Sequence, residues 1–170
     1  VSSSDLPQAV QSPVSQKVYN LITDEIVEVD LGTLNGDKLT VNGGNNAIIG
    51  DGTTDGITVN AGKELNINDV TDFTGFTTAL TNNGDNVTLN DVTFSDNGTD
   101  LVNNGTVNFN GTENSIETIE GNGTLNINDA TEGQLTVKES AVQETIIVAE
   151  NNTLINEGDL EVNAINNEGA

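Results

Sequence analysis

Leu65-Asn66-Ile67-Asn68-Asp69-Val70-Thr71 and Val87-Thr88-Leu89-Asn90-Asp91-Val92-Thr93 are one pattern written twice, 22 residues apart. In each, apolar and polar residues alternate and then run into Asn-Asp-Val-Thr. Alternation with a period of two marks a strand with one face buried and the other wet. The tetrad returns as Asn128-Asp129-Ala130-Thr131, with a degenerate Asn110-Gly111-Thr112 in between. Outward from this core, the same apolar-polar-apolar triplet appears at Leu39-Thr40-Val41, Ile57-Thr58-Val59, Val107-Asn108-Phe109, Leu125-Asn126-Ile127, Leu135-Thr136-Val137 and Leu160-Glu161-Val162. None of these segments carries a helical period.

The triplets recur at near-constant distance. Leu65 to Val87 is 22 residues, Val87 to Val107 is 20 and Val107 to Leu125 is 18. An internal repeat of about 20 residues with short strands and no helical crossover is too short for a propeller blade and lacks leucine-rich-repeat spacing. It predicts one coil of an all-β, parallel β-solenoid. Coils stacking at ~4.8 Å would place about six of them between Leu39 and Val162, in a rod of about 30 Å. The alternative is an antiparallel sandwich in which the seven Asn-Gly steps, at Asn35, Asn42, Asn83, Asn97, Asn104, Asn110 and Asn122, join hairpins. Val70 to Thr81, with Phe73, Phe76 and Leu80, reads as a loop protruding from a coil or covering its core.

Composition limits the chemistry. The 170 residues hold 27 acidic and 4 basic groups, a net charge of −23 that repels nucleic acid and anionic membrane surfaces. His, Cys, Met, Trp and Arg are absent, so no Ser-His-Asp or Cys-His nucleophile can be assembled, and the usual zinc, iron and copper ligands are missing. Only carboxylates could support catalysis. No basic residue lies between Glu64 and Val137 to serve as a lyase base, and the chain reads as non-enzymatic. Hard oxygen ligands leave calcium open as a cofactor.

Two sets of residues are candidate sites. Between the apolar positions, outward-facing Thr40, Asn42, Thr58, Asn60, Asn66, Asn68, Thr88, Asn90, Asn108, Asn110, Asn126 and Asn128 would stack into a flat polar strip. Such a strip is either a binding or self-association face, or simply Asn and Thr stacking on a solvated sheet. The candidate metal ligands are Asp51, Asp55, Asp69 and Asp91. Asp51 and Asp55 lie in the oxygen-rich Gly50-Asp51-Gly52-Thr53-Thr54-Asp55-Gly56. Asp69, Asp91 and Asp129 follow strands of the repeat, and any two on adjacent coils would have carboxylates ~5 Å apart, repelling by nearly 1 kcal/mol per pair. Calcium shared between turns, or an outward splay into water, would relieve that.

Residues 1–24 differ from the rest: both prolines and most of the Gln fall there, with no Gly. This stretch is expected to be an N-terminal cap or extension and residues 25–170 the solenoid. Val14, Val18, Leu21 and Ile22 have helical spacing, but Val18 to Ile22 could equally form an edge strand. Nothing in the chain reads as a membrane-spanning segment or a signal segment.

Val87 to Asn97, Asn104 to Phe109 and Gly121 to Ile127 resemble passenger domains of bacterial autotransporter adhesins. Phe94-Ser95-Asp96-Asn97 is similar to the F-x-x-N element of polymorphic outer-membrane proteins, and Gly43-Gly44-Asn45-Asn46-Ala47-Ile48 is the nearest counterpart of their G-G-A-[ILV] motif. The resemblance implies a right-handed parallel β-helix, extracellular on a bacterial cell surface, acting in adhesion or homotypic association. Its partner would be a second copy of itself or a glycan or protein of a host or neighbouring cell. End-to-end stacking through strand edges, as the subunit of a surface filament or layer, is the alternative.

Overall fold

The computed structural model describes residues 4–170. A short helix α1 (Leu6–Gln11) precedes β1 (Gln16–Asn20), β2 (Glu25–Ile26), β3 (Gly32–Thr33), β4 (Lys38–Thr54), β5 (Ile57–Val59), β6 (Glu64–Phe76), β7 (Thr78–Asn82) and β8 (Asn86–Ser95). Then come β9 (Thr99–Asn103), β10 (Thr106–Asn110), β11 (Asn114–Glu120), β12 (Thr124–Ile127), β13 (Gln134–Val148), β14 (Thr153–Asn156) and β15 (Asp159–Asn167).

The strands form a parallel β-solenoid of about seven turns with ~21 residues per turn. Three ladders run its length. The first joins β1, β4, β6, β8, β10, β12 and the C-terminal ends of β13 and β15. The second joins β2 to later parts of β4, β6 and β8, then to β11, β13 and β14. The third runs through β3, β5, β7, β9, β11, β13 and β15. Long strands such as β4 and β6 contribute to two ladders because they turn a corner at a register shift.

The repeat becomes register directly. Leu65 pairs with Val87, Val87 with Val107 and Val107 with Leu125, at the three spacings read from the sequence. The antiparallel sandwich is therefore excluded, since the Asn-Gly steps turn corners between parallel ladders.

Inward side chains stack rung on rung into a narrow core. Ladder one contributes Leu39, Leu65, Val87, Val107, Leu125 and Ile146 in one row, and Val41, Ile67, Leu89, Phe109, Ile127 and Val148 in the next. The segment from Val70 to Thr81 is not a protruding loop. It is the rest of β6 and the start of β7, with Phe73 and Phe76 fully buried. Phe73 stacks on Phe94 of the next turn at 5.3 Å between ring centroids and meets Phe76 at 5.1 Å.

At the N-terminus, the helical spacing of Val14, Val18, Leu21 and Ile22 is not used. Gln16–Asn20 is a strand, Leu21 is buried, and Val14, Val18 and Ile22 are exposed. The helix lies earlier, with Leu6, Ala9 and Val10 in the common core. Val10 and Gln11 carbonyls accept hydrogen bonds from the Asn35 backbone and side-chain amides, and Gln11 Nε2 donates to Leu31 O. No helix among the described residues is long and apolar enough to cross a membrane.

Candidate binding face

Ladder one carries most of the expected strip. Thr40, Asn66, Thr88, Asn108 and Asn126 occupy one outward row, and Asn42, Asn68, Asn90 and Asn110 the next, with the Asn128 amide donating to Phe109 O at the end of that row. The structure corrects two members of the set. Thr58 pairs with Thr33 and Thr81 on ladder three, and Asn60 follows it there, so both lie off the strip. Ile57-Thr58-Val59 alternates like its fellows, and alternation says that a residue points outward without saying from which ladder.

Within the strip, side chains bond along the solenoid axis. Asn42 Nδ2 donates to Asn20 Oδ1 at 2.9 Å and Asn68 Nδ2 to Asn42 Oδ1 at 3.0 Å. Further on, Asn126 and Asn128 both donate to Asn108 Oδ1, at 3.1 and 3.3 Å. Asn42 and Asn68 spend one donor each in this ladder and keep a second, whereas Asn108 Oδ1 is filled by its two donors. Asn60 belongs to a separate ladder at another corner, where Asn104 donates to Asn83 and Asn83 to Asn60.

Charge separates ladder one from the rest of the surface. Among its outward residues from β1 to β15 only Lys38 and Glu64 are charged, and they pair at 3.2 Å. The acidic residues sit instead at corners and on the other two ladders, among them Asp69, Asp91, Asp72, Glu117, Glu120 and Glu161. A protein of net charge −23 thus presents one continuous neutral face.

The four candidate metal ligands fall into two places. Asp51 and Asp55 lie in the bend from ladder two to ladder three, and Asp69 and Asp91 at the corner between ladders one and two. Asp51 closes its own turn, accepting from Thr54 Oγ1 at 2.6 Å and from the Thr53 amide and hydroxyl, which holds its carboxyl down at about 2. Asp55 accepts from Thr77 Oγ1. Asp69 and Asp91 are left-handed, with φ of 55° and 57°, and line a shallow groove with Asn45 and Glu113. Among the described residues no three acidic side chains converge as a metal cage.

Along the corner Gly111 occupies the turn between Asp91 and Asp129, and each of these two carboxylates accepts a backbone amide from an adjacent turn. Asp91 accepts from the Glu113 amide at 2.9 Å. Asp129 accepts from the amides of Gly111, Thr131 and Glu132, which together hold its carboxyl down at about 2. The same device recurs where the Asp24 carboxylate accepts from Ala47 N and that of Asp30 from Asp55 N.

Sequence reading missed the buried polar residues. Asn82, Asn103 and Gln143 form an internal ladder: Asn82 Nδ2 donates to Asn103 Oδ1 at 3.0 Å, and Asn103 Nδ2 to Gln143 Oε1 at 2.8 Å. Gln143 spans the intervening turn because Gly121 stands there without a side chain. The Asp100 carboxylate accepts from Asn97 Nδ2 and from the amides of Glu117 and Thr118, yet burial outweighs these bonds and raises its carboxyl above the ordinary value. Asn114 and Asn152, also buried, receive the amides of Val92 and Asp129 from adjacent turns. The available signal was an Asn at the end of a triplet, which looks alike whether it turns in or out.

No family model, curated protein or solved structure matches the chain. The class defined here is that of the fold, a parallel β-solenoid.

Proposed function

We infer that this protein is a non-enzymatic, extracellular bacterial surface protein whose ladder-one face mediates adhesion or homotypic association. The neutrality of that face carries the reading. Close approach of two copies at −23 each is opposed by long-range repulsion, and a face without net charge is where that opposition is least. Amide and hydroxyl groups repeated along the strip suit a partner with matching periodicity, such as a second copy, or a surface glycan or protein.

The size of the face sets the strength. Eight strands of four or five residues span at most roughly 34 Å by 16 Å, about 550 Å². Two copies face to face would bury about 1,100 Å², the range of weak, transient interfaces. Calcium enters as a counter-ion between copies at the acidic corners beside the face, where Asp69 and Asp91 lie.

Sedimentation velocity over a concentration series, in calcium and in chelator at matched ionic strength, tests this. Asn108→Asp with Asn126→Asp places like charges on adjacent rungs and should abolish concentration-dependent growth in size. Thr58→Asp with Asn60→Asp, on ladder three, should leave it intact. Association that survives the first pair, with the melting temperature unchanged, overturns the side-by-side reading.

One observation favours end-to-end assembly as a second reading. Strand β15 pairs with β13 alone, leaving an edge at which Ile165, in register with the buried Ile146, is exposed. In that case Ile165→Lys should suppress association while the ladder-one pair should not.

A further inference from the structure

We propose that Asn35 is a self-modifying site, at which the backbone of Gly36 and a water molecule convert the side-chain amide to aspartyl and isoaspartyl products ahead of every other Asn-Gly step in the folded protein. The reaction needs the nitrogen following the asparagine to shed its proton and reach Cγ. An N–Cγ bond forms, the Cγ–Nδ2 bond breaks, and ammonia leaves carrying the displaced proton. Water then opens the cyclic imide at either carbonyl, giving Asp or its isomer with the chain continued through the side chain. Glycine offers no side chain to obstruct the attack, so each of the seven Asn-Gly steps is a candidate. An N–H already committed to an acceptor is held protonated and in place, and must be released first.

At five of the seven the attacking N–H is committed to an acceptor. Gly84 N and Gly105 N donate to Asn82 Oδ1 and Asn103 Oδ1, and Gly111 N to the Asp129 carboxylate. Gly98 N donates to Phe76 O and Gly123 N to Asn103 O. Asn42 lies within β4, its side chain held at both ends by Asn20 and Asn68. At Asn35 the following amide, Gly36 N, has no acceptor among the described residues, in a bend between β3 and β4 that belongs to no ladder. Asn35 itself is exposed.

The position is also where α1 is tied down. The Asn35 amide donates to Val10 O and its Nδ2 to Gln11 O, both at 3.1 Å, and Lys63 Nζ donates to Asn35 O at 2.8 Å. Conversion replaces the Nδ2 donor by a carboxylate facing the Gln11 carbonyl, and the isomer lengthens the backbone between these bonds. Modification therefore loosens α1 from the first turn.

The intact folded protein is incubated at mildly alkaline pH and mapped by peptide mass spectrometry over time, beside a sample in urea. In the folded sample, product at Asn35 should accumulate about tenfold or more faster than at Asn122 or Asn104, and in urea the seven steps should converge. Another step matching Asn35 in the folded protein, or Asn35 remaining intact, overturns the proposal. Amide hydrogen exchange in α1 should quicken as the wild-type protein ages and stay constant in Asn35→Ser. Equal loosening in the variant would show that the modification does not release the helix.

Discussion

Asp129 and Asp100 are both inter-turn carboxylates, and they respond to pH in opposite senses. Asp51 and Asp129 are held at about 2 by hydrogen bonds to the charged form, so their stabilisation is complete above the ordinary value of 3.8 and is lost as pH falls toward 2. Asp72 and Asp100 are raised, chiefly by burial, so theirs is present below 3.8 and lost as pH rises through the raised values. The melting temperature should therefore pass through a maximum at mildly acidic pH. A steady rise into the alkaline range in a pH series of thermal melts would contradict this. Asn114 gives a neutral counterpart. It accepts the Val92 amide at 3.0 Å and donates to Asn110 O at 2.6 Å, and Asn114→Ala leaves both groups without partners. The expected cost in chemical denaturation is about 3 kcal/mol.

At the scale of the element, turn length and corner chemistry are coupled. Turns of 22, 20 and 18 residues stack in one ladder, so the differences must be absorbed at corners. Gly121 is one such place. Its φ is +109°, and a Cβ there would lie 2.3 Å from Asn103 O and 2.8 Å from Asn104 Oδ1. Gly121→Ala should cost about 3 kcal/mol or more and break the Asn103–Gln143 link, seen as faster exchange of the β9 and β13 amides. The strands built on the apolar-polar-apolar triplets were legible because alternation and repeat length are local, whereas Val70 to Thr81, expected as a loop, is strand. Helix α1 was not, since Leu6-Pro7-Gln8-Ala9-Val10-Gln11 is a short segment helical only where its apolar side reaches the shared core.

Across the whole molecule, charge and neutrality are segregated by face. Added salt screens the repulsion of the acidic corners while leaving the amides of ladder one unaffected, so self-association should strengthen from low to moderate ionic strength. Sedimentation velocity in a salt series reads this directly. Weakening with salt would place charged groups in the interface and argue against ladder one.

The local order of residues determined the triplet strands and the spacing at which Leu65, Val87, Val107 and Leu125 recur, and the observed register turned that spacing into parallel stacking and removed the antiparallel alternative. Which ladder each triplet joins was settled only by tertiary structure. Thr58 and Asn60 alternate as Asn66 and Asn68 do, yet corners placed between them decide the face. The same holds for Asn82, Asn103 and Asn114, turned inward, and for Asp91 and Asp129, whose carboxylates each accept an amide contributed by an adjacent turn. A side chain's direction follows from its own strand, but its partners lie about 20 residues away and become neighbours only when the coil closes.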